Sequence, residues 1–232
     1  MSEATRSRQI ALKAVSLVNS GVAIQAALDG VLAAGGLSPR DRHFCSDLVY
    51  GYFRNKIRLD FILDKFLKNP SKTSRIARSI LGLGLYSLLF QDSTPAWAAI
   101  DEAVKLAKKK LDVGGAKVVN GVLRNISRSL DDIREPEWHE KNSPDKWSGL
   151  AVFYSIPPGL AVLWRRVYGE EAALNLMRVS SARPWTGIRL NSASPLFAAL
   201  KKDLDGLVAA GLGRNLGDGG YAFAKAPAPL LE

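Results

Sequence analysis

Cys45 stands two residues after His43 in the stretch DRHFCSDLVYG, Asp41 to Gly51; it is the only cysteine of the chain, and His43 is one of two histidines. A thiol beside an imidazole can be a nucleophile next to its base, or half of a metal site. On one helix, positions i and i+2 point to different faces, so these two side chains do not meet. Asp41, Arg42 and Asp47 suit a solvated face while Phe44, Leu48 and Val49 turn inward. An unpaired cysteine behaves as a small apolar side chain, so Cys45 is expected in the core. One cysteine forms no internal disulfide, and with two histidines it completes no structural zinc site without carboxylates.

Other catalytic patterns are equally thin. GLGLYS is embedded in an apolar helical run, and GLGRNLGDGG lacks the strand–turn–helix setting and the lysine of a phosphate loop. There is no nucleophile elbow, zinc-protease helix or calcium loop. The acidic pairs Asp101-Glu102, Asp131-Asp132 and Glu170-Glu171 are adjacent in sequence and do not converge on a point. The expectation is a chain with no catalytic residues, no metal and no cofactor of its own.

What remains is binding. The chain carries a net charge of +10, and all of it lies in the first part: residues 1–130 hold 20 Lys+Arg against 10 Asp+Glu, whereas residues 131–232 hold 12 of each. A basic domain followed by a neutral one points to a polyanion partner for the first. Candidate phosphate contacts are Arg6 and Arg8, Arg75 and Arg78, the Lys105–Lys110 set with Lys108 and Lys109, Lys117, and Arg124 with Arg128. Arginine would supply forked donors and lysine point charges. Aromatic residues for base stacking are not evident, because Tyr50, Tyr52, Phe53 and Trp97 all fall near apolar stripes.

Residues 1–130 read as successive helices. One runs from about Thr5 to Asn19, and a second follows through Ile24, Ala27, Leu28 and Val31 until Gly35-Gly36. A third is opened by the Ser38-Pro39 cap signal, and a fourth spans Ile57 to Leu67. RIARSILGLGLYSLLF is hydrophobic nearly all round in its second half and should be the central helix, with Gly82 and Gly84 permitting close approach of a neighbour. Thr94-Pro95 repeats the cap signal. Gly114-Gly115 breaks the helix that follows, and Val118, Val119, Val122, Ile126 and Leu130 form the stripe of the last one. Residues 131–147, DDIREPEWHEKNSPDKW, read as a linker or long surface loop. Residues 148–232 mix short helices with two strand candidates, TGIRLN and GYAFA, which suggests a small α+β module. The fold class is therefore mainly α: an all-α helical bundle followed by a small α+β module. No run approaches the length of a membrane helix and the N-terminus has no apolar signal core, so a cytoplasmic protein with no membrane partner is expected.

DRHFCSDLVYGYFRNKIRLDFIL, ARSILGLGLYSLLFQDSTPAWAAIDEAVKLAK and KVVNGVLRNISR resemble the NusB-type helical domain. More closely they resemble its version at the front of the RsmB (Sun/Fmu) rRNA cytosine-C5 methyltransferases. YSIPPGLAVLWRRVYGEEAALNLM followed by GIRLN is similar to the second, pre-catalytic module of that family, although Ile156 and Gly159 stand where it usually has histidine and tryptophan. GGYAFAKAPAPLLE looks like the segment just before the catalytic domain. The resemblance implies an RNA-binding front end for small-subunit rRNA. The family's S-adenosylmethionine motif and its Pro-Cys and Thr-Cys motifs have no counterpart here, and Cys45 matches neither family cysteine. S-adenosylmethionine would enter only with a catalytic methyltransferase domain, which is one partner the resemblance implies. The alternative is a free-standing NusB-like antitermination factor working with a ribosomal protein. A module that meets an acidic protein through its basic face is a third reading.

Overall fold

Ser38 and Ser74 each accept a hydrogen bond from the backbone amide three residues on, that of Asp41 and of Ala77 respectively. Each starts a helix whose first amides would otherwise lack an acceptor. The structure, a computed structural model, describes residues 3–92 and 94–224. Two compact units divide the chain, Met1–Ser181 and Ala182–Glu232.

In the first unit, α1 (Glu3–Asn19), α2 (Ile24–Gly35), α3 (Pro39–Arg54), α4 (Lys56–Phe66), α5 (Arg75–Phe90), α6 (Ala96–Lys110) and α7 (Val113–Ser127) form the bundle. Its centre is α5, which packs against α1, α3, α4, α6 and α7 and buries every residue from Ser79 to Leu89. A Cβ on Gly82 would come within 2.5 Å of the Tyr52 ring, and one on Gly84 within 2.8 Å of Leu123, so the two glycines set how closely α3 and α7 approach. Cys45 sits in this core fully buried, and burial pushes its thiol up to about 11, which leaves no thiolate at neutral pH. His43 is exposed.

Three local expectations shift. Pro95 rather than Thr94 is the cap residue of α6, and the Thr94 amide instead closes a turn onto the Gln91 carbonyl. Gly114 and Gly115 do not break a helix; they lie in the first turn of α7, where the Asp112 side chain accepts from the Gly115 amide at 2.7 Å. The buried stripe of α7 is Ala116, Val119, Leu123 and Ile126, a strict three-four spacing that leaves Val118 49% exposed.

The expected linker over 131–147 is a correction. It folds as α8 (Leu130–Arg134), α9 (Pro136–Lys141) and the start of α10 (Lys146–Phe153). Ile133 and His139 are fully buried. The cause lies far away in sequence: Arg58 on α4 donates through Nη2 to the carbonyls of Ile133 (3.0 Å) and Arg134 (3.3 Å), and its guanidinium lies 4.1 Å from the Phe153 ring centre. The Ile57 amide donates to Ser155 Oγ at 3.1 Å, and Trp138 stacks on Phe66. Next come α11 (Pro158–Tyr168) and α12 (Glu170–Ser181), which close a smaller cluster around Leu150, Ala151, Ile156, Ala161 and Met177. The first compact unit thus runs past residue 130 and ends at Ser181.

In the second unit, β1 (Thr186–Arg189), β2 (Gly213–Gly217) and β3 (Gly220–Phe223) form an antiparallel sheet of order β1-β3-β2. One face carries α13 (Phe197–Ala209), with Leu204 buried against Tyr221 and Phe223. The Tyr221 hydroxyl donates to Asp205 at 2.8 Å. GRNLG, part of the glycine-rich stretch that lacked phosphate-loop context, is the strand β2, and Asp218-Gly219 turns it into β3. The segment after Ala224, KAPAPLLE, lies outside the described residues.

Candidate nucleic-acid interface

Helix α6 ends in Lys108, Lys109 and Lys110, where cations meet the negative end of the helix dipole. The Asp112 cap then turns the chain into α7, whose apolar stripe docks it beside α6. On α6, Trp97, Asp101, Val104 and Lys108 recur at four, three and four residues and so share a face. On α7 the matching face carries Lys117, Asn120 and Arg124. Between them runs a groove of about 830 Å³.

The electrostatics of this groove are positive. Two acidic residues line it against three cations, and both are engaged: Asp101 pairs with Lys105 at 2.8 Å and Asp112 accepts from the Gly115 amide at 2.7 Å. Lys108, Lys117 and Arg124 are exposed, and no ion pair among the described residues engages them. Arg124 Nε donates to Asn120 Oδ1 at 3.1 Å, which steadies the guanidinium along the helix. Trp97 is 73% exposed on the same groove. A planar ring beside three cations can stack a base while its phosphates are held. Proximity to an apolar stripe therefore misjudged Trp97. It is two residues from Ala99, about 200° round the helix, so burying Ala99 turns the indole outward.

A second groove of about 700 Å³ runs along the other flank of α7, against the segment joining α4 to α5. Lys68, Lys72, Asn69 and Asn125 line it, together with the exposed Val118. Lys68 and Lys72 carry no periodic signal because they lie in that connection, and sequence reasoning passed over them. The proline-punctuated lysines of KNPSKTS were the available clue.

The remaining candidates separate into two groups. Arg75 is exposed in the first turn of α5, Arg128 is exposed at the end of α7, and Arg6 is exposed against the Gly36 turn, but none of them lines either groove. Lys109 is exposed beside Lys108. Arg8 and Arg78 are corrections. Arg8 is only 7% exposed, with its guanidinium 4.9 Å from the Phe44 ring centre; burial pulls its pKa down and nearby Glu102 opposes the shift. Arg78 is tied to Asp60 at 3.1 Å and to Asp64 at 2.7 Å. Both arginines hold helices together rather than facing a ligand.

His139 is equally structural. Its ring lies between Phe61 and Phe153, and burial together with Arg58 lowers its pKa to about 4, so it is neutral at pH 7. Among the described residues no group of His, Cys, Asp and Glu could hold a metal ion. Among the described residues no single helix is long and apolar enough to cross a membrane.

The profile of the NusB family matches residues 5–128, the span of α1 through α7. The chain is 34% identical over 219 residues to a Bacillus subtilis protein named probable ribosomal RNA small subunit methyltransferase B, across 92% of this chain and 46% of that one. It is 30% identical over 190 residues to the Pseudomonas putida ribosomal RNA small subunit methyltransferase B, across 73% of this chain and 43% of the relative. To the Bacillus licheniformis transcription antitermination protein NusB it is 35% identical over 119 residues, across 50% of this chain and 86% of that protein. The chain spans about half the length or less of the methyltransferases it matches. With more than half of its residues inside that profile, and its grooves formed by the helices the profile covers, the chain belongs to the NusB family.

Proposed function

We propose that this chain is the RNA-engaging portion of an RsmB-type small-subunit rRNA cytosine-C5 methyltransferase, supplying binding and no bond chemistry. The observation that carries the reading is the α6–α7 groove, where Lys108, Lys117 and Arg124 surround an exposed Trp97. Cations there hold successive phosphates while the indole stacks an unpaired base, a combination that favours single-stranded or looped RNA over duplex. The likeness to the methyltransferases continues beyond residue 128, which supports an rRNA target. S-adenosylmethionine then belongs to a catalytic domain corresponding to the part of those relatives that this chain does not match. The setting is cytoplasmic.

A NusB-type antitermination role, with a ribosomal protein as partner, is the second reading. It is favoured by the match to 86% of the Bacillus licheniformis NusB. That match accounts for half of this chain, whereas the methyltransferase match accounts for 92%.

The test is equilibrium binding of the full chain to fragments of small-subunit rRNA across a salt series. Binding that weakens steeply with salt, and that prefers an unpaired rRNA segment to a duplex of equal length, is the expected result. Absence of binding, or binding indifferent to salt, would contradict the reading. Tight binding that requires an added ribosomal protein would favour the second one.

A further inference from the structure

Unit Ala182–Glu232 has its own candidate binding surface, independent of the bundle grooves. Among the described residues of this unit, one face of the sheet is covered, by α13. Tyr221 and Phe223 point to α13, so Gly220 and Ala222 point the other way. Register carries that open face across the sheet: Ala222 pairs with Gly187 on β1 and with Arg214 on β2, and Gly220 pairs with Arg189. The floor is therefore glycine and alanine, and a Cβ placed on Gly187 would meet nothing within 4 Å.

Two planar cations and one indole stand on this flat floor. Trp185, just before β1, is 47% exposed, and the Arg214 guanidinium lies 4.9 Å from its ring centre. Arg189 edges a shallow hollow of about 400 Å³ at the other end of the face, two residues beyond Gly187 on β1. No ion pair among the described residues engages Arg189 or Arg214. The carboxylate of Asp205 is taken up by Lys201, Asn215 and Tyr221, while Asp218 sits in the turn at the edge of the hollow.

We propose that this open sheet face is a stacking platform for one or two unpaired nucleotides of single-stranded RNA. A protein partner would need an apolar anchor, and the hollow beside Arg189 exposes one large apolar side chain, Leu216. By contrast, two guanidiniums and an indole stand over the glycine and alanine floor, which favours a planar anionic ligand. A nucleobase needs a flat surface, an aromatic or guanidinium plane to stack on and cations for its phosphate, and the face supplies each. The Trp185–Arg214 pair is preassembled, so little ordering is needed when a base stacks against it. Arg189 lies about 7 Å along the strand from the Gly187–Arg214 row, at 3.3–3.4 Å per residue, where it can meet a phosphate or a second base.

The probe is a fluorescent ten-nucleotide oligouridylate containing 4-thiouridine, with a blunt RNA duplex of equal length as the comparison. It is applied to the full chain and to a full chain carrying Lys108→Ala, Lys117→Ala and Arg124→Ala, so that the platform is read without the bundle groove. In that background the oligonucleotide should still bind and photocrosslink within residues 184–224. Trp185→Ala and Arg214→Ala should each weaken binding about tenfold, and Trp185→Phe about twofold or less. If Trp185→Ala lowers the melting temperature, Arg214→Gln and Arg189→Gln decide instead. Crosslinks confined to residues 96–128, or arginine variants that bind as tightly as their parent, would overturn the platform while leaving the bundle reading intact. Crosslinks confined to residues 184–224 in the unmodified chain would support the platform and count against the bundle groove.

Discussion

Replacing Arg58 by alanine should lower the stability of the helical unit by about 3 kcal/mol and its melting temperature by roughly 10 °C. Arg58 is buried, and burial brings its pKa down to about 10. It is nonetheless the donor that satisfies the carbonyls of Ile133 and Arg134 where α8 meets α4. Removing it leaves those acceptors facing a cavity, withdraws the cation from the Phe153 ring and loosens the Phe61–His139–Phe153 cluster. Part of the loss is offset because a costly buried charge disappears. Arg58→Met separates the two effects, since it fills the volume without charge or donors and should recover about half of the loss. Thermal melts of the two variants check this, and an Arg58→Ala protein as stable as the parent would show that residues 131–153 do not depend on α4.

Gly149→Ala should be nearly as damaging for a different reason. A Cβ there would lie 2.5 Å from the Glu140 Cα, 2.7 Å from the Glu140 nitrogen and 2.8 Å from the His139 carbonyl oxygen. All three are backbone atoms, so no rotamer change relieves the clash, and α9 and α10 must separate at a cost of about 2–3 kcal/mol. Gly30→Ala is the contrast: Gly30 lies inside α2 with nothing within 4 Å of the added carbon, and the change should stabilise by about 0.5–1 kcal/mol. Native-state hydrogen exchange should show Gly149→Ala opening residues 130–155 before α5 is affected.

How much of this was legible in the sequence depended on where each residue finds its partners. Cys45, the Ser38-Pro39 cap and the buried α5 were readable because caps and apolar periodicity are local signals. The close approach at Gly82 and Gly84 was readable for a related reason, since glycines inside an otherwise apolar helix need a neighbour to justify them. Residues 131–147 were not readable. Their helices span five or six residues, too short to display a period, and their buried residues find partners far away in sequence: Ile133 in the bundle core, His139 against Phe61 on α4 and Phe153 on α10. The same distinction runs through the interface. Lys108, Lys117 and Arg124 were visible as exposed helix positions, but a charge count does not tell them from Arg8, which Phe44 and Glu102 accompany in the interior, or from Arg78, which Asp60 and Asp64 hold. Trp97 was missed because aromatic residues near an apolar stripe are read as core.

The proposed role of the α6–α7 groove is to grip RNA phosphates. The direct measurement is the salt dependence of rRNA-fragment binding for the unmodified chain and for the Lys108→Ala, Lys117→Ala, Arg124→Ala variant. These side chains are exposed, so the melting temperature should be nearly unchanged. Loss of three phosphate contacts to a single strand should make the slope of log K against log salt shallower by about 2 and weaken binding roughly 100-fold at low salt. A variant that keeps the parent's slope and affinity while melting at the same temperature would contradict that role.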